Sequence, residues 1–133
     1  MDFQTTSIEA AFTATGRDPM ALPIVSHLLP RDQERTVAKY QLEIVIEAIN
    51  QEANGGKRWI PNFNDANEPK YELCLKVEAD KEHPGGVSFS RTLAFADYSL
   101  TTAGARLFKP REAGLYAFNQ FKELFEKADL IKN

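Results

Sequence analysis

Asp65 and Glu68, three residues apart in the stretch KRWIPNFNDANEPKY from Lys57 to Tyr71, are the first side chains to weigh for chemistry. Two carboxylates among three asparagines offer many oxygens, the diet of a calcium ion. The spacing does not match an EF-hand. Counted from Asn62, the fifth and sixth positions are Ala66 and Asn67, and counted from Asp65 the fifth is Pro69. A non-standard ion or small-ligand site at Asp65 and Glu68 is therefore a minor reading. The main one is a self-capped loop, because Asn and Asp side chains accept hydrogen bonds from nearby backbone N–H groups. Trp59 and Phe63 would pin it to the core, and Pro61 and Pro69 would restrict the unfolded chain. A rigid loop of this kind also serves as a recognition surface, with Trp59, Phe63, Asn64, Asp65, Asn67, Tyr71 and Tyr98 as partner-binding candidates.

Other chemistry is sparse. His27 lies in an apolar segment and His83 in a Lys-Glu-His-Pro-Gly-Gly turn, so packing and solvation account for them better than catalysis. Cys74, the single cysteine, has the polar parity of a strand and no activating neighbour. It cannot form an internal disulfide, and a reducing compartment is the simplest setting. No zinc spacing, P-loop, dinucleotide fingerprint or nucleophile elbow is present. Asp97, Glu112 and Asp129 do not stand out among 19 acidic residues. The expectation is a protein that is not an enzyme and needs no cofactor.

Cations give a second candidate set. Lys57 and Arg58 precede Trp59, and Arg106, Lys109 and Arg111 surround the start of a helix, where phosphate can be held. This is the nucleic-acid alternative. A net charge of −3 does not favour it or an anionic membrane surface. No apolar run approaches the roughly 18 residues of a membrane span, and MDFQTTSIEA has no signal-peptide pattern. The expected location is the cytoplasm or a particle assembled there.

The elements that position these residues follow from periodicity. One domain over residues 1–133 suits the length, and 43% hydrophobic with 26% charged residues is ordinary for a globular chain. A first short helix starts at Thr6 as N-cap with Glu9 completing a capping box, and ends at Gly16. It presents Ile8, Ala11 and Phe12 on one face. Asp18 and Pro19 open a brief helical turn, and IVSHLLP tucks against the core. The longest helix runs from about Pro30 to Ala53, with a broad apolar stripe through Val37, Ala38, Leu42, Ile44, Val45, Ile46, Ala48 and Ile49, stopped by Asn54, Gly55 and Gly56.

The period then becomes two. Tyr71, Leu73, Leu75 and Val77 alternate with polar residues, as do Val87, Phe89, Leu93 and Phe95. Residues 105–109 make a short third strand, and Pro110 opens a last helix to about Lys127. The resulting class is α+β: a three-stranded antiparallel meander packed on the long central helix and the C-terminal helix, with short N-terminal helices. Arg91 breaks the alternation between Phe89 and Leu93. A bulge or a guanidinium snorkelling past the core edge explains it, and a buried Arg–carboxylate pair is the sharper alternative.

The loop also resembles a known group. IEAIN, then a short gap, then Trp59, Pro61, Asn62, Phe63, Asn64, Asp65, Asn67, Lys70 and Tyr71 is similar to a run shared by small proteins of gut Bacteroidetes and their phages and prophages. The likeness extends upstream through DPMALPIVSHLLP and downstream through GARLFKPREAGLYAFNQF. After Tyr71 the sequence departs from it: ELCLKVEAD stands where the group is aromatic and proline-rich. The resemblance implies phage or mobile-element biology and no catalytic residues. The functional expectation is a non-enzymatic binding or assembly module, virion-associated or acting on a host protein, with a protein partner or self-association.

Overall fold

The computed structural model describes residues 1–65, 67–79, 87–97 and 106–130, apart from the side chains of residues 90–97. Its elements, in chain order, are α1 (Ile8–Ala14), α2 (Pro30–Ala53), β1 (Tyr71–Ala79), β2 (Val87–Asp97) and α3 (Arg111–Asp129).

The 24-residue α2 is the axis of the molecule. Pro30 at its first turn needs no hydrogen-bonded N–H, and Asp32 favours the positive end of the helix dipole. Leu42, Val45, Ala48 and Ile49 are wholly buried. With Ala38, Ile44 and Ile46 they cover more than one side, so α1 and α3 both pack on this helix. On α3 the matching stripe is Ala113, Ala117, Phe118, Phe121, Leu124, Phe125 and Ala128. Phe118 meets Phe89 and Phe125 edge-on, tying the sheet to the helices. At Phe121 α3 kinks, with φ −123° and ψ 32°.

The first helix is capped one residue later than expected. Ser7, not Thr6, accepts from the Ala10 N–H at 3.1 Å, and this brings Ala11 and Phe12 inward. Gly16 closes it with φ 74°, and the Arg17 N–H reaches back to Phe12 O at 2.7 Å. The brief turn expected at Asp18 and Pro19 is present, with the Met20 N–H donating to Asp18 Oδ1 at 2.9 Å. IVSHLLP does not tuck wholly into the core. Ile24 is 82% exposed, Leu29 and Met20 are exposed too, and only Val25 and Leu28 are half-buried. Pro19, Pro23 and Pro30 deny this stretch the helical period that would put its apolar groups on one face.

The sheet is the main correction to the expected architecture. Among the described residues it has two strands, β1 antiparallel to β2, not a three-stranded meander. Of the expected third strand only a single bridge remains, Phe108 with Tyr71. It lies beside β1, whereas a meander would place it beside β2. The reason is Asn50 of α2. Its Nδ2 donates to Leu107 O at 2.8 Å and its Oδ1 accepts from the Lys109 N–H at 2.9 Å. On the alternate residue, Phe108 exchanges both backbone bonds with Tyr71 at 2.8 and 3.0 Å. A side-chain amide thus stands where a neighbouring strand would.

Pairs Cys74–Ala94, Leu75–Thr92, Lys76–Arg91 and Val77–Phe89 leave Leu93 and Ser90 as extra residues on β2. Arg91 lies between these two bulges, opposite Lys76 and out of step with Phe89. This register agrees with the bulge explanation for Arg91; its side chain lies outside the described residues.

The segment before α1 is also part of the body. Phe3 is buried and stacks on Tyr116 at 4.7 Å between ring centroids. The Gln4 N–H donates to Glu52 Oε1, and the Thr5 N–H and hydroxyl donate to Oε2. The Tyr116 hydroxyl donates to Thr5 O at 2.7 Å. Burial, then the nearby Glu52 charge, raise the Tyr116 phenol above its ordinary value.

Candidate binding cleft

The loop between α2 and β1 is built by its own side chains. Gly55 and Gly56, with φ 68° and 86°, turn the chain off the helix, and Asn54 Nδ2 donates to Lys57 O at 3.0 Å. Asn62 Oδ1 accepts from the Asn64 N–H at 3.0 Å, and Asp65 Oδ1 from the Asn67 N–H at 2.9 Å. Glu68 Oε1 accepts from the Asn62 N–H at 2.9 Å and closes the loop on itself.

At its centre lies Lys70, whose side chain is 0% exposed. Its ammonium donates to Glu68 O at 3.0 Å and Asp65 O at 3.3 Å, with Glu68 Oε1 at 3.7 Å and the Phe63 ring at 5.8 Å. Of the carboxylates considered for calcium, Glu68 therefore faces a cation supplied by the chain, while Asp65 Oδ1 is taken by the Asn67 N–H. Sequence reasoning missed Lys70, because lysine is among the residues least often buried.

This fixed loop, α2 and the Arg106–Leu107 segment enclose an open cleft of about 290 Å³. Trp59 and Phe63 form its aromatic wall, Ile46 and Leu107 line it from the core side, and Arg58 and Arg106 add cations. Trp59 is half-buried and also borders a smaller hollow of about 240 Å³ beside Pro69 and Pro110. It partitions two cavities and is not sealed beneath its own loop.

Glu47 organises the charges. Arg17 donates to both its carboxylate oxygens, at 2.6 and 3.2 Å, and Arg58 Nε approaches one of them at 3.6 Å. Hydrogen bonds from Arg17 hold the Glu47 carboxyl below its ordinary value; burial opposes the shift, and the Arg17 and Arg58 charges reinforce it. The same bond raises Arg17. Arg106 is paired with Asp129.

The expected sites divide accordingly. Trp59, Phe63, Arg58 and Arg106, drawn from two separate candidate sets, meet in one cleft. Asn64, Asp65 and Asn67 are exposed; the Asp65 carboxylate accepts from the Asn67 N–H, and Asn64 and Asn67 enter the loop's bonds through their backbone N–H groups. Tyr71 is half-buried at the start of β1, and Tyr98 lies outside the described residues. Lys57 and Arg111 are exposed, and Lys109 Nζ donates to Asn54 Oδ1 at 2.7 Å. His27 is exposed, not packed in an apolar segment, Cys74 is exposed, and His83 lies outside the described residues. The side chain of Asp97 is likewise outside the described part, while Glu112 is exposed and 3.7 Å from the Met1 amine. Among the described residues no three His, Cys, Asp or Glu side chains converge on a metal position, and no helix is long and apolar enough to cross a membrane.

Comparison with known protein families, with curated proteins and with solved structures finds no match.

Proposed function

We propose that the chain is a non-enzymatic binding or assembly module that engages a protein partner through the Trp59–Phe63 cleft. The observation that carries this reading is the cleft itself: two aromatic rings held at an open hollow by a loop whose hub is a buried lysine. Aromatic side chains on a rigid frame provide large contact area at low entropic cost, and they dominate interface energetics. The resemblance of the loop to small phage and prophage proteins supplies the setting. In that setting the module is a virion or assembly accessory, or a phage product acting on a host protein in the cytoplasm.

The test is affinity capture from phage-infected and uninfected host lysate, with the wild type beside Trp59→Ala and Phe63→Ala. The reading requires a protein retained by the wild type and lost by both variants. Identical captured sets for all three would exclude the cleft as the partner site.

A nucleic-acid role draws on the same place, since Arg58 and Arg106 stand near aromatic rings. Glu43 and Glu47 also line the cleft, and Arg106 is paired with Asp129. These carboxylates oppose a phosphate backbone. Absence of DNA or RNA affinity even at low ionic strength would eliminate this alternative.

A further inference from the structure

Arg58 is a surplus counter-ion. The carboxylate of Glu47 is already held by both terminal nitrogens of Arg17. Arg58 reaches the same group only through Nε at 3.6 Å, beyond hydrogen-bond distance, and its side chain is 66% exposed. Two guanidinium groups thus share one carboxylate, and the more weakly held one lines the cleft beside Trp59. A guanidinium presents its donors as a planar fork that matches a carboxylate in a bidentate way. The neighbouring rings and the Ile46–Leu107 side of the cleft offer apolar contact to whatever carries that carboxylate.

Resting on the binding reading above, we infer that the cleft takes a short acidic peptide segment of the partner. An apolar side chain enters between Trp59 and Phe63, and a flanking Asp or Glu carboxylate bonds to Arg58. A hollow of about 290 Å³ suits one or two side chains, not the face of a folded domain. Glu43 also lines the cleft and Arg106 is paired with Asp129, which leaves Arg58 as the cation for the ligand's carboxylate. That arrangement favours a single carboxylate over a continuous run of phosphates.

Trp59 is the only tryptophan, so its fluorescence reports occupancy directly. The full chain is titrated with acetyl-Leu-Leu-Glu-amide, with the charge-reversed acetyl-Leu-Leu-Lys-amide and with oligothymidylate. The expected result is a saturable change with the acidic peptide at a Kd below about 1 mM. It weakens at least about tenfold in Arg58→Ala and is only partly restored in Arg58→Lys, which keeps the charge but not the fork. Equal or tighter binding of the basic peptide or the oligonucleotide would overturn the acidic-peptide assignment, as would unchanged affinity in Arg58→Ala. No response to any probe up to several millimolar would also overturn it. These failures are separable from failure of the binding reading, which the lysate capture with Trp59→Ala decides on its own.

Discussion

Two charged side chains decide how the loop and its cleft hold their shape. Lys70 is buried with carbonyl and carboxylate oxygens around it. Lys70→Ala would leave those oxygens facing a void, and hydrogen bonds to a buried charged group are worth about 1.5–3 kcal/mol each. We expect a loss of about 3 kcal/mol in urea unfolding, together with a red shift of Trp59 emission as the loop loosens. Stability within 0.5 kcal/mol of wild type, a threshold set by the roughly ±0.5 scatter of surface substitutions, would show that the ammonium is dispensable.

Glu47 gives a pH signature. Its folded value is depressed, so the folded state binds fewer protons than the unfolded state near its titration. Its contribution is complete above the ordinary glutamate value, roughly 4.3, and is lost as pH falls through the depressed one. For a partly exposed pair it amounts to about 1 kcal/mol. Wild type should exceed Glu47→Gln at pH 7, and the two should converge on acidification; a gap constant from pH 7 to 3 would contradict the assignment.

Secondary-structure elements were legible where one force dominated. The bounds of α2 follow from Pro30, the wide apolar stripe and the Asn-Gly-Gly stop, because burial, proline geometry and glycine freedom all agree there. The same holds for α3, opened by Pro110, and for Tyr71, Leu73 and Leu75 of β1, which are half-buried, whereas Val77, expected on the same buried face, is exposed. Legibility failed where a single distant residue intervened. Residues 106–109 carry strand-like alternation, but Asn50, 57 positions before Leu107, captures the backbone groups that a third strand would have used. The one hint was a polar residue on the buried stripe of α2, four after Ile46 and one after Ile49. In the cleft, residue types pointed to Trp59, Phe63 and Arg58, but nothing local pairs Arg17 with Glu47 across 30 positions.

Asn50→Ala tests this element directly. It strands a carbonyl and an N–H, and should cost about 2–3 kcal/mol. Amide exchange of Phe108 and Tyr71 should quicken with it, while α1 is unaffected. Leu42→Ala, by contrast, empties a fully buried site on the axis helix and should cost about 2–5 kcal/mol with all elements loosening together.

Across the whole molecule, the fold places exposed apolar side chains and the self-bonded loop at opposite ends of α2. Exposed Ile24 and Leu29 precede that helix, whereas the self-bonded loop and cleft follow it. The residues before α1 are joined to both long helices through Glu52 and Tyr116. Tyr116→Phe keeps the ring stacked on Phe3 and removes only the bond to Thr5 O. Unfolding free energy should fall by about 1 kcal/mol, and limited proteolysis should cleave sooner near residues 1–6. An unchanged cleavage pattern would show that stacking and Glu52 suffice to hold that segment.

The bond from Tyr116 to Thr5 has a bearing on biosynthesis. A ribosome delivers residue 5 more than a hundred codons before residue 116, so Phe3 leaves the exit tunnel with no aromatic ring to lie against. A nascent polypeptide halted ahead of α3 would keep that phenylalanine wet, with only the Glu52 bonds of α2 to hold the residues before α1. Final closure of the body must then wait for translation of the last helix.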